Sequence, residues 1–335
     1  MAKQECVLVT GASGFIGGKI AVELCQRGYR VRAQYRRPDL TGDLQHAGVL
    51  GAELVRIDLT QEPLHDLTDG VDYVIHAAAM VQPVGPISRF AEINVVSTQR
   101  LLQSAKSAGC RKFVYISSMT IHGFGEHVDS DETGPYFRLI SAYQRTKKQA
   151  ENFVMAQSCP DMPCTSVRPG LVFGPGDTAI LKRVFDLLSA GRLPLIGGFQ
   201  VLNCPIFIDD LVEVIIRAME LDASNGEIFN VSRGEKIILR TAVENACELF
   251  DRPLPRLNIP RGLVMFASTF VDTVFTLLRL RGTPALSKFL ALQLCTNFHF
   301  SAEKTERLLG FCVDSPWEEQ LKLTVEAYKT QYMDA

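Results

Sequence analysis

The sequence lacks the surplus of charge that would tie a protein to a polyanion. Its 335 residues include 35 Lys and Arg against 37 Asp and Glu, which gives a formal net charge of −2. A chain so close to neutrality carries no overall basic field for nucleic acid or for an acidic membrane. We therefore predict no nucleic-acid partner.

Cysteine is present, but without the spacing of a disulfide framework or a zinc site. The nine cysteines are scattered, no pair has a two-residue spacing, and no histidine pair accompanies them. This pattern is typical of reduced, mostly buried thiols, and no metal site is expected. The start of the chain carries an acid at Glu5 and runs directly into an apolar strand. It leaves no room for a signal peptide, so we expect a cytoplasmic protein.

Short apolar runs rich in β-branched residues alternate with longer segments of helical period. The predicted strands are residues 6–10, 31–35, 53–57, 73–77, 112–117 and 165–168. Predicted helices lie between them, for example at 15–27 and about 88–108. Continuous apolar strands separated by helices indicate an α/β fold, a doubly wound parallel sheet covered on both faces.

The first strand ends in a turn with glycines at three-residue spacing, Gly11, Gly14 and Gly17, which opens a helix. Such glycines leave room for a pyrophosphate, and the helix that follows directs its N–H groups and positive dipole end toward the phosphates. The spacing alone is weak, because glycines also fill ordinary turns, but its place in a first βαβ unit favours a dinucleotide site. The predicted contacts of this turn are Gly11, Ser13, Gly14, Phe15, Ile16 and Gly17.

The composition of the chain changes near residue 175, where predicted turns rich in Gly and Pro become frequent. We predict a Rossmann-type NAD(P)-binding domain at 1–175 and a smaller, mostly helical substrate lobe at 176–335. A helix and a strand within 205–231 are predicted to return to the first sheet, so that the two parts interleave.

The end of the second strand normally decides which nicotinamide dinucleotide binds. A carboxylate there would bond the ribose hydroxyls and repel a 2′-phosphate, but this chain has Arg36 and Arg37 after Tyr35. Two guanidinium groups favour a 2′-phosphate and hence NADP, with NAD possible and a solvated basic loop as the alternative. Asp58, followed by Leu59, is placed to meet the adenine amine, or else to cap a helix.

Tyr143 and Lys147 lie one helical turn apart in a segment of helical composition, 141–157, and therefore share a face. A free phenol has a pKa near ~10, and a nearby ammonium favours its phenolate form, so we predict Tyr143 as the catalytic acid/base. Ser118 is predicted to hydrogen-bond the substrate oxygen, and Lys147 to hold the nicotinamide ribose as well. An exposed helical pair is the alternative, but no other of the eight tyrosines has a lysine four residues on.

These motifs jointly resemble the extended short-chain dehydrogenase/reductase superfamily, over essentially the whole chain. The runs at 9–17, 74–79, 92–98, 114–118 and 168–177 carry the resemblance, with Ser97 in place of a usual glycine and Phe173 in place of a frequent tyrosine. The resemblance implies that Asn94 steadies the active-site loop and a proton relay. It also implies further cofactor contacts from the fourth-strand motif and from the loop that packs on the nicotinamide, namely Ala77, Ala78, Ala79 and Pro169.

Three histidines near these motifs are predicted to have structural rather than catalytic roles. His122 and His127 have no ligand partners at metal spacing and are expected to be loop residues. His76 is expected to pack beside the cofactor without titrating in catalysis.

A position shortly before the late aspartate pair, Asp209 and Asp210, separates two substrate classes. Nucleotide-sugar epimerases and dehydratases of the superfamily usually have an arginine there to clamp the diphosphate, whereas this chain has Asn203 before Asp209 and Asp210. The pattern from Gly282-Thr283-Pro284 to Phe311 resembles the 3β-hydroxysteroid dehydrogenase-like branch, which includes sterol and long-chain 3-oxoacyl reductases. The resemblance thus implies an oxidoreductase acting on a secondary alcohol or ketone of a hydrophobic substrate. A nucleotide-sugar epimerase or dehydratase is the alternative, and a non-catalytic dinucleotide sensor, which typically lacks the tyrosine or the lysine, is disfavoured.

An apolar helix is predicted at 262–278. It is about the shortest length that crosses a bilayer, and Asp272 at its middle argues against spanning. We expect it to line an apolar pocket, with Phe270 as an inward position. Peripheral contact of 262–280 with a membrane surface, flanked by Arg261, Arg279 and Arg281, is the alternative. A homodimer is a possible assembly.

Overall fold

The computed structural model describes residues 4–38, 40, 42–82, 85–177, 180–278 and 287–333. The strands are β1 (Cys6–Thr10), β2 (Arg30–Tyr35), β3 (Glu53–Arg56), β4 (Tyr73–His76), β5 (Lys112–Ile116), β6 (His127–Ser130), β7 (Cys164–Pro169), β8 (Leu171–Phe173), β9 (Leu195–Ile196), β10 (Leu202–Asn203), β11 (Pro205–Phe207), β12 (Ile228–Val231), β13 (Ile237–Ile238), β14 (Asn258–Ile259) and β15 (Phe298–Phe300). The α-helices are α1 (Phe15–Gln26), α2 (Gly42–Val49), α3 (His65–Thr68), α4 (Ile87–Ala91), α5 (Ser97–Ser107), α6 (Ala142–Ala156), α7 (Ile180–Ser189), α8 (Ile208–Glu220), α9 (Leu239–Leu249), α10 (Arg261–Leu277), α11 (Lys288–Cys295), α12 (Glu303–Leu309) and α13 (Trp317–Tyr332).

A seven-stranded parallel sheet forms the centre of the molecule, in the order β12-β7-β5-β4-β1-β2-β3. The predicted strands of this sheet differ from the observed ones by at most one residue at either end. The doubly wound fold predicted from the alternation of strands and helices is confirmed. The boundary of the predicted substrate lobe at residue 176 stays a prediction.

The central strands are apolar on both faces because helices cover both faces. Along β1, Val7 and Val9 pack into one hydrophobic cluster with helices α1 and α8. Cys6 and Leu8 alternate with them and pack into a second cluster with α5 and α6. Every residue of β1 is buried, which explains why the strand reads as a continuous apolar run rather than an alternating one.

The long helix predicted at 88–108 is interrupted by a wide turn. Helix α4 continues into a π-helical turn at Glu92–Val96, which continues into α5. Such turns insert a residue into a helix and often mark functional sites. Here the wide turn carries Asn94, whose side chain is buried.

The remaining C-terminal segments pack around the carboxyl ends of the sheet strands. Strand β11 pairs with β8, and β15 pairs with β6, so the later chain is tied to the loops that follow β7 and β5. Helices α10 and α11 form a pair joined by a hydrogen bond from the Lys288 N–H to Oδ2 of Asp272 (2.9 Å). Over the part of the chain described, no helix is both long enough and apolar enough to cross a membrane.

Candidate active site

The predicted site residues gather at one edge of the sheet, where the parallel strands β1, β2, β4, β5 and β7 end. Ligands of doubly wound sheets bind at this carboxyl edge, because the loops that follow neighbouring strands meet there. The edge carries the end of β1 with Gly11–Gly17, the end of β2 with Arg36 and Arg37, the loop after β3 with Asp58 and Leu59, the loop after β4 with Ala77, Ala78 and Ala79, Ser118 after β5, Tyr143 and Lys147 on α6, and Pro169 at the end of β7.

The glycine turn is packed tightly against its neighbours. Gly11 has a φ of +69°, and a Cβ on it would lie 2.7 Å from the Cα of Ala78. A Cβ on Gly17 would lie 2.4 Å from the carbonyl oxygen of Gly11, so neither position admits a side chain without movement.

Gly14 is the N-cap of α1 and provides no side-chain cap, and the first turn of the helix carries no acid. The N–H groups and the positive dipole end at this helix start are therefore arranged for an anion. This arrangement fits the pyrophosphate of a dinucleotide.

Gln34, a residue that the sequence analysis did not select, holds this turn in place. Its side-chain oxygen accepts a hydrogen bond from the Gly11 N–H (3.0 Å), and its amide nitrogen donates to the Ile57 carbonyl (2.6 Å). The Gln34 carbonyl accepts from the Ala12 N–H (2.9 Å). One buried side chain thus joins the ends of β1, β2 and β3. The available signal was its position at the end of β2, two residues before Arg36.

A cavity of about 300 Å³ lies at the end of β2 and β3, and Arg36, Asp58, Thr60, Gln61, Ser88, Arg89, Glu92 and Ile93 line it. The guanidinium of Arg36 lies 3.9 Å from the Asp58 carboxylate. Arg37 is exposed and is outside this lining. The cavity therefore offers two cations, two carboxylates and further hydrogen-bonding groups at the place where the adenosine end of a dinucleotide is expected.

Asp58 is held in a turn rather than at a helix N-cap. Its Oδ1 accepts hydrogen bonds from the Thr60 N–H (2.9 Å) and hydroxyl (2.7 Å), and no described α-helix begins there. Burial acts to raise the pKa of Asp58, but these hydrogen bonds and the charges of Arg36 and Arg100 outweigh it and hold the pKa below its ordinary value. Asp58 is therefore an acceptor at the cavity wall.

Asn94 connects the loop after β4 with the helix that carries the tyrosine and lysine. Its Oδ1 accepts from the Met80 N–H (2.7 Å), and its Nδ2 donates to the Met80 carbonyl (3.1 Å) and to the Thr146 hydroxyl (3.1 Å). Thr146 lies on α6 between Tyr143 and Lys147. This geometry fits a steadying role for Asn94, and its part in a proton relay stays a prediction.

Tyr143 and Ser118 form the polar centre of the site. The Ser118 side chain interacts with the Tyr143 phenol and acts to lower its pKa. The Ser118 hydroxyl also lies 2.9 Å from the hydroxyl of Thr120 and accepts from the Thr120 N–H (3.2 Å). Thr120 places a second hydroxyl in the site, and sequence reasoning missed it although it lies two residues after Ser118.

The Lys147 charge does not contribute to the pKa of Tyr143 in this structure, so the promotion of a phenolate by the lysine together with an oxidised nicotinamide stays a prediction. Burial raises the pKa of Tyr143, and the interaction with Ser118 offsets this only in part. The Lys147 ammonium donates to the Ile116 carbonyl (2.5 Å) and lies 4.2 Å from the centre of the Tyr115 ring. Tyr143 is therefore a protonated phenol, suited to give a proton.

Lys147 is almost entirely buried on α6, at 2% exposure. Burial lowers its pKa to about 7, although the carboxylate of Glu151 acts in the opposite direction. The ammonium faces the end of β5 beside the cleft. A ribose hydroxyl in that cleft would offer it a further acceptor.

The three histidines have structural partners. His76 is bridged between the hydroxyls of Thr10 (2.7 Å) and Thr98 (2.8 Å), and burial, with Lys147 nearby, lowers its pKa to about 3. His122 accepts a hydrogen bond at Nε2 from Arg168 (3.0 Å), and burial followed by the Arg168 charge lowers its pKa to about 3. His127 contacts Gly123 and Ser130, and no group of metal-binding side chains occurs among the residues described.

An apolar wall borders the polar centre. Met119 and Phe124 follow Ser118 in the chain and pack with Phe298 and the partly buried Phe289 of α11. The Phe289 ring lies 6.5 Å from the Tyr143 ring and 4.9 Å from that of Phe124. These side chains could not be placed from the sequence, because they come from three separate segments.

Helix α10, which the sequence predicted to line the pocket, turns Phe270 toward solvent. Phe270 on α10 is 64% exposed, so its prediction as an inward position is wrong, and Phe289 of α11 occupies the place beside Tyr143 instead. Asn203 is buried on β10 and accepts from the Cys204 N–H (2.9 Å), so it gives no positive charge to a diphosphate. The Gly282-Thr283-Pro284 pattern and the predicted flanking residues Arg279 and Arg281 lie outside the described residues.

Known proteins share both the sequence and the fold. The profile of the NAD dependent epimerase/dehydratase family matches residues 7–232. A 2-alkyl-3-oxoalkanoate reductase from Stenotrophomonas maltophilia is 30% identical over 329 residues, covering 94% of this chain and 97% of that protein. A 3β-hydroxysteroid dehydrogenase/Δ5→4-isomerase from Mycobacterium tuberculosis is 28% identical over 323 residues, covering 91% of this chain and 85% of that protein.

A solved structure shows the same fold at lower identity. The UDP-glucuronic acid 4-epimerase from Bacillus cereus in complex with NAD superimposes with a TM-score of 0.79 at 19% identity, covering 98% of this chain and 99% of that chain. At this identity the likeness concerns the fold alone.

Proposed function

We propose, from the premise that the chain belongs to the NAD dependent epimerase/dehydratase family, that it is a reductase that prefers NADPH and converts the ketone of a hydrophobic substrate to a secondary alcohol. That it is an NAD(P)-dependent oxidoreductase follows from the family and from relatives that are reductases and dehydrogenases. The cofactor preference, the direction of reaction and the substrate class are the proposal.

The observation that carries the proposal is the Tyr143 phenol, whose pKa is raised, next to the Ser118 side chain and beside an apolar wall. In the reduction of a ketone, negative charge develops on the carbonyl oxygen and a proton must reach it. In our proposal, Tyr143 gives that proton. Ser118, with Thr120 behind it, donates a second hydrogen bond to the same oxygen.

The residues at the carboxyl edge fit a nicotinamide dinucleotide. Such a cofactor, when bound, supplies the hydride. The turn at 11–17 would hold the pyrophosphate, the loop at 77–79 and Pro169 would border the nicotinamide half, and Lys147 would donate to the ribose. Asn94 keeps the loop after β4 and helix α6 in register.

The preference for NADPH rests on Arg36 at the cavity beside Asp58. A 2′-phosphate there would compete with Asp58 for the guanidinium and gain a charge-assisted contact. Arg37 lies outside the lining of this cavity, so we assign it a secondary part.

The substrate is proposed to be a long-chain 3-oxo compound or a sterol ketone. The apolar side chains of Met119, Phe124 and Phe289 near Tyr143 favour an aliphatic or polycyclic body, and the named activities of the relatives agree with this class. The uncharged Asn203 disfavours the diphosphate of a nucleotide sugar. The nine unpaired thiols support a reducing, cytoplasmic compartment.

A substrate screen tests the proposal. Oxidation of NADPH and NADH is followed with 3-oxoalkanoates of increasing chain length, with sterol ketones and with UDP-sugars. We expect turnover that rises with apolar size until the cleft is filled, since burial contributes roughly 25 cal/mol per Å². A UDP-sugar bound at micromolar affinity and turned over without net oxidation of cofactor would instead establish the epimerase alternative.

A further inference from the structure

Gln144 is a fully buried polar residue that lies directly after Tyr143 on α6. Its side-chain oxygen accepts hydrogen bonds from the Ile140 N–H (2.9 Å), the Ser141 N–H (3.1 Å) and the Ser141 hydroxyl (3.2 Å). Its side-chain nitrogen donates to the Thr120 carbonyl (2.9 Å). The two ends of one amide thus hold two different segments, the start of α6 and the loop after β5.

The contacts at the oxygen of Gln144 belong to the helix itself. Ser141 is the N-cap of α6, and its hydroxyl oxygen accepts from the Gln144 N–H (3.2 Å), so the two residues form a capping box. A glutamate serves in this motif as well as a glutamine, because the motif requires only an acceptor. Capping therefore accounts for the oxygen of Gln144 but not for its amide nitrogen.

The amide nitrogen ties the helix to the turn that carries the active-site hydroxyls. Ser118 is the N-cap of the short 3-10 turn Met119–His122, which contains Thr120. The Thr120 hydroxyl lies 2.9 Å from that of Ser118, and the Thr120 N–H donates to the Ser118 hydroxyl oxygen (3.2 Å). The residue whose carbonyl Gln144 holds is therefore the one that fixes the Ser118 hydroxyl. Because Gln144 adjoins Tyr143, one hydrogen bond links the backbone at the acid/base to both hydroxyls.

We propose that Gln144 is a positioning residue that sets the Ser118 and Thr120 hydroxyls against the Tyr143 phenol. It acts through the hydrogen bond from its amide nitrogen to the Thr120 carbonyl, and its complete burial keeps it from contact with substrate or cofactor. A displacement of about 1 Å between reacting groups can lower turnover by about 10²-fold, so this bond should matter for kcat. The inference rests on the proposed reduction, in which Tyr143 and Ser118 meet the same substrate oxygen.

The substitution Gln144→Glu separates the two roles, because it keeps the acceptor and removes the donor. The variant retains the capping contacts but turns an oxygen toward the Thr120 carbonyl, where two acceptors repel each other. With the ketone that the wild type reduces best, we expect kcat at pH 8 to fall at least ~10-fold while the Kd of the dinucleotide stays unchanged.

Lowering the pH should restore the lost donor. Every described hydrogen-bond partner of Gln144 is uncharged, so burial should raise the pKa of the introduced carboxyl. Once protonated, that carboxyl has an O–H that can donate to the Thr120 carbonyl as the amide did. The ratio of the variant's kcat to that of the wild type should therefore rise from about 0.1 at pH 8 toward 1 at pH 5.

Two control variants test the structural and the charge effects separately. Ser141→Ala removes the capping hydroxyl but keeps the bond from Gln144 to Thr120, so the Tm should fall by roughly 1–3 °C while kcat stays within about twofold of the wild type. Gln103→Glu adds the same charge at an exposed position of α5 and should show wild-type kcat at both pH values.

Hydrogen exchange measures the effect of Gln144 without turnover. The turn after β5 contains the Thr120 N–H, which donates to the Ser118 hydroxyl oxygen, and the Gly123 N–H, which donates to the Thr120 carbonyl. Compared with the wild type at the same pH, the peptide that covers 118–124 should exchange faster in Gln144→Glu at pH 8 and equally fast at pH 5.

Three results would overturn the inference. They are wild-type exchange of this peptide in Gln144→Glu at pH 8, a loss of kcat no larger than that of Ser141→Ala, and a kcat ratio that does not rise between pH 8 and pH 5. A wild type that reduces no ketone would contradict the proposed function instead, and the exchange measurement would still decide whether Gln144 holds the turn.

Discussion

The candidate site at the carboxyl edge of the sheet is a cleft with a dinucleotide end and a substrate end, and these two ends are built in different ways. At the dinucleotide end, short motifs at strand ends supply the groups, and each is held by neighbouring polar partners, as Gln34 holds Gly11 and as Thr60 holds Asp58. At the substrate end, the wall beside Tyr143 is apolar and is assembled from distant segments such as Phe124 and Phe289. The difference indicates that cofactor binding depends on local backbone geometry, whereas substrate choice depends on tertiary packing.

The largest expected effect comes from Tyr143, where the two ends meet. Tyr143→Phe removes the proton donor and should lower kcat by at least ~10²-fold, while dinucleotide binding remains unchanged. Tyr73→Phe is the matched control, because Tyr73 lies at the opposite end of the sheet beside Glu5. Near-normal turnover of Tyr143→Phe with the true substrate would remove this residue from the mechanism.

A pH-dependent effect is expected from Lys147. Its pKa is about 7 in the folded protein against an ordinary value of 10.5, so between these values only the unfolded chain carries the proton. Below pH 7, Lys147 is charged in both the folded and the unfolded protein. The cost of burying this charge then lowers the free energy of unfolding by its full amount. The free energy of unfolding of the wild type should therefore rise from pH 7 toward 10 by up to ~1.4 kcal/mol per pH unit from this group.

Lys147→Met should lose that contribution to the slope, and chemical unfolding of both proteins between pH 6 and 10 measures it. Lys182, a half-buried lysine paired with Asp186, provides a control in Lys182→Met. Equal slopes for wild type and Lys147→Met would show that Lys147 is not held near neutrality. The variant should also bind dinucleotide more weakly, since the ammonium beside the cleft is gone.

Among the arginines of β2 and its end, cofactor choice should respond most to Arg36, with a smaller effect of Arg37. Arg36→Ala is expected to weaken NADPH by ~1.5–3 kcal/mol and to leave NADH nearly unchanged, the range for a charge-assisted hydrogen bond. Arg30→Ala, at the opposite end of the strand, is the control. Titration of both dinucleotides decides the point, and equal losses for the two would contradict the assignment.

The smallest effect should come from the apolar wall, and it should be confined to the substrate end. Phe289→Ala is expected to lower kcat/KM for the longest ketone by about 10-fold, with a smaller loss for a short one, because less apolar surface is buried. Phe311→Ala, a half-buried aromatic away from the cleft, should alter neither. A uniform loss for short and long substrates would place Phe289 outside the binding surface.

The sequence allowed the dinucleotide end to be predicted in some detail. The strand ends, the glycine turn, Arg36 and the pair Tyr143 and Lys147 all come together at one edge of the sheet, because parallel strands bring successive loops to the same place. Such residues can be recognised in the sequence, because each follows directly on a strand or lies one helical turn from its partner.

The substrate end was less predictable, for physical reasons. Helix α10 is apolar nearly all round, so its period did not reveal that Phe270 faces solvent. The raised pKa of Tyr143 depends on burial and on where the Lys147 ammonium points, and helical spacing specifies neither. Phe289 reaches the site through tertiary packing of α11, which leaves no local pattern.

Transfer of a labelled hydride tests the central claim most directly. NADPH carrying deuterium on the transferred position of its nicotinamide is incubated with the enzyme and a long-chain 3-oxo ester or a sterol ketone, and the alcohol is analysed by mass spectrometry. The proposal predicts one deuterium on the carbinol carbon for each NADPH oxidised. It also predicts that Tyr143→Phe forms this product at no more than about one hundredth of the wild-type rate. Failure of every hydrophobic ketone to acquire the label, together with interconversion of a UDP-sugar without net oxidation of cofactor, would contradict it.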